Sequence, residues 1–189
     1  MAPRKLKFAM PELFPQGRRS DGPHVSHAIH SIMKSIYPDR FDERPIDITR
    51  ANLGNALEKA IVRGLAESNP ERYVTPGELY HDGLYGTPDL WYLADRELIT
   101  CEIKLTWASS RRAEDIEDAW FWRYWTQIRA YCYMAGGCHT GRLYIGFVNG
   151  DYSRSEDTGG PTVMGWEDSW DADELIENWL MLKATNAKK

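Results

Sequence analysis

The sequence predicts an α/β fold, with one central mixed β-sheet flanked by helices. Three observations predict it. Apolar residues recur at helical spacing up to about Ser68, and short runs punctuated by Gly, Pro and aromatic residues take over from Tyr73. The order that results is two helices, a strand meander, a helix, a strand pair and a last helix, which suits helices packed around one sheet. The chain has 189 residues, with hydrophobic residues at 42% and charged residues at 27%, the size and balance of one ordinary globular domain.

The elements follow in order. Residues 1–20 carry three prolines and five basic residues and read as a flexible basic arm, leaving 21–189 as the single domain. Ser20-Asp21-Gly22-Pro23 opens a helix that runs to about Tyr37, because Pro is tolerated in a first turn. A second helix spans roughly Thr49 to Ser68 and stops at Asn69-Pro70. Its Leu53, Leu57, Ile61 and Leu65 recur every four residues and are expected to face a core. Strands are expected near 78–84, 87–93 and 98–106. A helix is expected over 113–135, a strand over 142–148 and a partner strand over 162–166. Asp171 starts the final helix, with Glu174 three residues on as its capping-box partner.

Several function classes drop out on composition. No run approaches the roughly 18 apolar residues of a membrane span, and the N-terminus has charge without the apolar run of a secretory signal. The expected compartment is the cytoplasm. Cys101, Cys132 and Cys138 are an odd, sparse set, read as buried thiols and not as a disulfide framework. Net charge is −5, which alone does not suit a nucleic-acid binder. The charge is segregated, however. Asp151 to Glu177 holds nine acidic residues against Arg154, while Arg4, Lys5, Lys7, Arg18, Arg19, Arg111, Arg112, Arg123 and Arg129 lie elsewhere. An acidic back with a basic front is compatible with DNA.

The chemistry gathers in one hairpin. Along Ile99–Trp107 side chains alternate faces. Ile99, Cys101, Ile103, Leu105 and Trp107 form a core face, and Thr100, Glu102, Lys104 and Thr106 the other. A turn centred on Asp95 and Arg96 sets Asp89 directly opposite Glu102. Cross-strand carboxylates at roughly 4.5–5.5 Å between Cβ atoms repel unless a cation or a proton intervenes. A hard divalent ion is the natural occupant. The plain alternative is a solvated hairpin face with a Glu–Lys pair.

Three further features bear on that choice. Glu58 sits at the edge of the second helix's apolar stripe, with Gly54 one turn below it leaving open space. Gly86 allows close backbone approach just before Asp89, and Pro88 breaks the ladder there. Gln127 and Tyr131 share one helix face and offer an amide and a phenol to a phosphate or to a water. Trp120, Trp122 and Trp125 read first as core, with base stacking as the alternative. His24, His27 and His30 read as ordinary helix residues.

In this order, Gly54-x-x-x-Glu58, Gly86-x-x-Asp89, Glu102-x-Lys104 and Gln127-x-x-x-Tyr131 resemble the PD-(D/E)XK nucleases, in their RecB-like and lambda-exonuclease-like (YqaJ-type) branch. The likeness spans roughly residues 52–131. It implies a restriction-endonuclease-like core and a metal-dependent DNA exonuclease using Mg²⁺ or Mn²⁺. Asp89, Glu102 and the Ile103 carbonyl would hold the metal, with Glu58 as a further ligand. Lys104, Gln127 and Tyr131 would complete the catalytic set, and Arg111, Arg112, Arg123 and Arg129 would bind DNA. Relatives with an iron–sulfur cluster use four Cys, so no cluster is expected. The resemblance points to phage or bacterial recombination, repair or DNA processing, with a recombination or single-strand-binding protein as a partner. A homo-oligomer, such as the ring trimer of lambda exonuclease, is compatible with it. Two readings stand beside this one: a structure- or sequence-directed endonuclease of the same fold, and a non-catalytic member that binds DNA or protein.

Overall fold

The structure, a computed structural model, describes residues 20–41, 48–95, 97–107, 110, 121–148 and 161–186. The N-terminal arm up to residue 19, Arg111, Arg112, Trp120 and the first part of the helix expected from 113 lie outside the described residues. The elements are α1 (Val25–Ile36), a 3₁₀ turn (Pro38–Phe41), α2 (Ile48–Ser68), β1 (Tyr73–Val74), β2 (Leu79–His81), β3 (Leu84–Gly86), β4 (Leu90–Leu93), β5 (Leu98–Thr106), α3 (Trp122–Ala135), β6 (Thr140–Phe147), β7 (Thr162–Ser169) and α4 (Ala172–Asn186). The architecture is the mixed α/β one expected from the sequence.

The main sheet runs β1-β4-β5-β6-β7, and β2 pairs with β3 as a separate ribbon. β5 and β6 are parallel, and every other pairing between these strands is antiparallel. A parallel pair needs a crossover, and α3 lies on it. One sheet face packs on α2, where Leu90, Ile99, Cys101 and Ile103 meet Ile61, Val62 and Leu65. The other packs on α3, where Ile128 and Cys132 meet Leu143, Ile145 and Phe147. Behind α3, Val25, Ile29 and Met33 of α1 meet Tyr131 of α3 and Trp179 and Leu182 of α4.

Both faces of β5 are therefore covered. Thr100 and Glu102 are 0% and 1% exposed, like Cys101 and Ile103 on the opposite side. The solvated hairpin face is overturned, because α3 lies where solvent was the alternative. A Cβ on Gly141 would stand 2.1 Å from Ile128 Cγ2, so only glycine lets α3 sit this close to β6.

Four expectations are corrected. The single strand at 78–84 is a hairpin, β2–β3, turning at Asp82 and Gly83 with φ of 47° and 87°. Asp-Gly is the pair that a two-residue turn with positive φ at both positions selects. The strand at 87–93 begins only at Leu90, since Pro88 lacks the N–H that a ladder needs. α1 starts at Val25, not near Ser20: Tyr85 donates its N–H to the Pro23 carbonyl at 2.9 Å, His24 bridges to Tyr85, and Gly22 lies against the Tyr85 ring. That segment docks on β3 instead of coiling. On α2, Leu53 and Leu57 are 44% and 36% exposed, while Ile61 and Leu65 pack on the sheet. The helix thus packs on the sheet from Ile61 on, and its earlier leucines do not.

The final helix keeps its expected start. Asp171 N–H donates to Glu174 Oε2 at 3.0 Å, and Glu174 N–H donates to Asp171 Oδ1 at 2.9 Å, the two reciprocal bonds of a capping box. Among the described residues no helix is long and apolar enough to cross a membrane.

Candidate active site

The β4–β5 register pairs Leu90 with Cys101 and Trp91 with Thr100. Continued one step, it sets Asp89 across from Glu102, as the hairpin turn implied. Because β4 begins only at Leu90, no strand among the described residues lies beside the backbone of β5 beyond Cys101 on that edge. Strand geometry turns the N–H of every second residue, here Ile103 and Leu105, toward that gap. Two carboxylates take these donors. Ile103 N–H donates to Asp89 Oδ2 at 2.8 Å, and Leu105 N–H donates to Glu58 Oε1 at 3.2 Å. The acids arrive from opposite directions, Asp89 from the end of β4 and Glu58 from α2. The interruption of one strand both positions them and explains why they are needed, since a half-buried amide without a partner costs about 1–3 kcal/mol.

Glu102 points to the α3 side and forms an ion pair with Lys104, two residues along the same face. Lys104 engages Glu102 Oε1. Glu102 Oε2 is buried and has no hydrogen-bond partner. Burial, then the neighbouring Asp89, pushes the Glu102 carboxyl up to about 8, against the pull of Lys104. Glu58 is raised too, first by burial, with Lys104 opposing and Asp89 reinforcing. Burial lowers the Lys104 ammonium, but the charges of Glu102, Asp89 and Glu58 outweigh it and carry the group well above the ordinary lysine range. Three carboxyl groups thus share one lysine.

Tyr131 packs against this cluster from α3. It is 3% exposed. A Cβ on Gly86 would lie 2.7 Å from its ring and 2.9 Å from Met134 Sδ. The close approach that Gly86 permits is therefore to α3. Gln127 Nε2 donates to the Tyr131 hydroxyl at 2.7 Å, leaving the amide oxygen of Gln127 as its remaining acceptor. Burial, then the charge of Glu102, holds the Tyr131 phenol above its usual range. It is neutral at physiological pH.

A cleft of about 340 Å³ opens onto the cluster, lined by Glu58, Lys104, Leu105 and Gln127, by Arg123 and Tyr124 of α3, and by Ser26, Ile29, His30 and Met33 of α1. A Cβ on Gly54 would meet nothing within 4 Å, so the space expected beneath Glu58 is open. Sequence reasoning did not find the α1 wall. Its available signal was the spacing of Ser26 and His30, four apart on one face. Tyr124 was also missed, with Arg123 Cζ 4.5 Å from its ring centroid. Trp122 and Trp125 belong to the core, Trp125 against Trp170 at 5.9 Å. The two described arginines part company: Arg123 lines the cleft, while Arg129 lies over the Trp170 ring at 5.1 Å.

Among the described residues no three His, Cys, Asp or Glu side chains form a ready-made metal cage. The donor set still fits a hard divalent ion. It supplies carboxylate oxygens from Asp89, Glu102 and Glu58, and one of them, Glu102 Oε2, is buried without a partner. Ile103 directs its N–H toward Asp89, and in an extended strand its carbonyl leaves on the same side.

No family model matches the sequence, and no curated protein matches it. Solved structures do match its fold. An alkaline exonuclease (LHK-Exo) from Laribacter hongkongensis aligns with a TM-score of 0.54 at 16% identity, covering 88% of this chain and 87% of that one. A phage-related exonuclease from Haemophilus somnus 129PT aligns at 0.51 and 13% identity, covering 86% and 79%. The protein SSO0001 aligns at 0.53 and 14% identity, covering 93% and 79%. The chain shares the fold of these three structures, two of them exonucleases.

Proposed function

We propose that this chain is a metal-dependent deoxyribonuclease, acting as an exonuclease on DNA and using Asp89, Glu102, Lys104 and Glu58 as its core. The single observation that carries the reading is the cluster at the end of β4: Asp89 and Glu58 on the free amides of β5, beside a buried Glu102 with one unpartnered oxygen. Carboxylates forced together in a low-dielectric site are costly unless a cation joins them. Two of the fold's neighbours are exonucleases, and one of them, LHK-Exo, has been crystallised with dAMP.

Asp89, Glu102 and the Ile103 carbonyl would hold a Mg²⁺ or Mn²⁺, with Glu58 as a further oxygen ligand. Such an ion, when bound, lowers the pKa of a bound water and neutralises charge on the phosphate. Lys104 places a permanent positive charge where the phosphoryl oxygens gain negative charge. Gln127, its amide nitrogen committed to Tyr131, presents an acceptor oxygen that can orient the attacking water. Tyr131 is a positioning residue: fully buried, it holds Gln127 and backs Glu102. Arg123 supplies a cation for the DNA backbone. Water attacks phosphorus, one P–O ester bond breaks, and the leaving oxygen takes up a proton. The polar Gln127–Tyr131 pair, as the resemblance implies, favours degradation from an end. Recombination, repair or phage DNA processing is the setting the resemblance offers.

The test compares end-labelled linear duplex with covalently closed circles, each with Mg²⁺, Mn²⁺ or EDTA. Metal-dependent loss of linear DNA alone supports the exonuclease. Cutting of circles moves the reading to an endonuclease of the same fold. No cleavage with either metal overturns the enzymatic reading.

A further inference from the structure

All three cysteines are buried and free, yet they are not equivalent. Cys101 faces α2, among Leu90, Ile99 and Ile103, and burial pushes its thiol up to about 12. Cys132 and Cys138 face one another on the α3 side, with Sγ atoms 3.3 Å apart and exposures of 0% and 1%. The surroundings are polar for so buried a pair. Thr100 Oγ1 lies 3.2 Å from Cys138 Sγ, and the Thr140 carbonyl lies 3.2 Å from Cys138 Sγ and 3.6 Å from Cys132 Sγ. Their mutual contact is the first cause that lowers the Cys138 thiol and raises that of Cys132. Of the two, Cys138 is the more readily deprotonated, and thiolate character sets susceptibility to oxidation.

A tight glycine turn joins them. Gly136 and Gly137 hold φ of 63° and 121°, which side chains other than glycine avoid. Gly136, Gly137 and His139 are exposed, so Cys138 sits in a turn whose other residues face solvent. A disulfide needs the sulfurs to close from 3.3 Å to roughly 2.05 Å.

We propose that Cys132 and Cys138 are an oxidation site that forms a reversible disulfide with a small peroxide and so alters the candidate active site. The Cys138 thiolate attacks one peroxide oxygen, the O–O bond breaks, and the released hydroxide takes a proton to become water. The Cys132 sulfur then attacks the sulfenic sulfur, loses its own proton and expels a second hydroxide, which leaves as water. Two thiols and one H₂O₂ give one disulfide and two waters; the sulfur pair loses two electrons and the peroxide gains them. The link to function is local. Cys132 adjoins Tyr131, which accepts the Gln127 amide and packs on Gly86, so drawing Cys132 toward Cys138 shifts the turn that carries Tyr131. That second half rests on the nuclease reading, and the disulfide itself does not.

The experiment treats the reduced full chain with H₂O₂, then denatures it, alkylates it and maps its peptides by mass spectrometry. The expected result is a 132–138 linked peptide with a mass loss of about 2 Da, an alkylated Cys101, and full recovery with dithiothreitol. Cys138→Ser and Cys132→Ala each abolish the link, and two variants guard against one failing to fold. Retention of all three thiols, or oxidation centred on Cys101, overturns the site. The metal-dependent rate is expected to fall about tenfold on oxidation and to return on reduction. A formed disulfide with an unchanged rate overturns the regulatory half. If the protein cuts no DNA at all, the peptide map still decides the site.

Discussion

Glu58 Oε1 accepts the backbone N–H of Leu105 at 3.2 Å, joining α2 to β5 across 47 residues of sequence. Without that carboxylate, the Leu105 amide lies beyond the end of β4 with no strand to bond. Glutamine keeps an acceptor oxygen at the same place and alanine does not. Glu58→Ala is therefore expected to cost about 1–2 kcal/mol of stability, with Glu58→Gln near neutral. Both should lower the metal-dependent rate at least about tenfold if the charge serves the metal. Chemical denaturation beside cleavage assays separates the two effects. Equal destabilisation by both variants contradicts the role given to the amide.

Glu102 gives a pH dependence with a definite sign. Its carboxyl is held up at about 8 by burial and by Asp89, far above an unfolded glutamate at about 4.3. The folded chain thus retains a proton that the unfolded chain has lost. That contribution is fully present below about pH 4.3 and is lost as pH rises through about 8. In EDTA, melting temperature should fall as pH rises from about 4.3 to about 8 and level off above that. Mn²⁺ competes with the proton, so its stabilisation should be larger at pH 9. Glu102→Gln should remove most of this slope while abolishing cleavage. A slope unchanged in the variant assigns it elsewhere.

Arg123 and Arg129 should behave differently although six residues separate them on one helix. Arg123→Ala removes a cleft cation, so it should weaken DNA binding across sequences and reduce the salt slope by about 1. Arg129→Ala uncovers the Trp170 ring, so it should lower stability by about 0.5–2 kcal/mol and leave the salt slope unchanged. Binding isotherms at several salt concentrations, with parallel unfolding curves, check both.

Gly86→Ala places a methyl 2.7 Å from the Tyr131 ring. Tyr131 is buried and cannot swing clear, so a cost of about 1–3 kcal/mol is expected. Activity of the remaining folded protein should drop as well, because Tyr131 holds Gln127. A variant with normal stability and rate shows that α3 can give way here.

The parts legible in the sequence were those with local causes. Alternation along 99–106 showed which residues share a face, although Trp107, expected on the core face, lies past the strand and is 37% exposed; the turn at Asp95 and Arg96 gave the register that sets Asp89 against Glu102, and Asp171 with Glu174 announced the start of α4. What was not legible depended on packing at a distance. Burial of the Glu102 face comes from α3 closing over Gly141, which no local pattern encodes. Exposure of Leu53 and Leu57 depends on which turns of α2 meet the sheet, and those are the turns of Ile61 and Leu65. The α1 wall of the cleft depends on the Pro23–Tyr85 contact, which turns the chain just before the helix. The β2–β3 hairpin was legible in Asp82-Gly83 and was passed over. Arg129 shows the limit of charge counting, since its guanidinium covers an indole instead of facing the cleft.

The account's central claim is that the Glu102–Lys104 face of β5, with Asp89, hydrolyses DNA. The measurement that tests it most directly is single-turnover cleavage of end-labelled linear duplex with Mg²⁺ by the intact chain and by Lys104→Ala, each first shown to melt cooperatively. The account predicts loss of at least about 10³-fold in rate for a folded Lys104→Ala protein. Cleavage by that variant at the rate of the intact chain would contradict it.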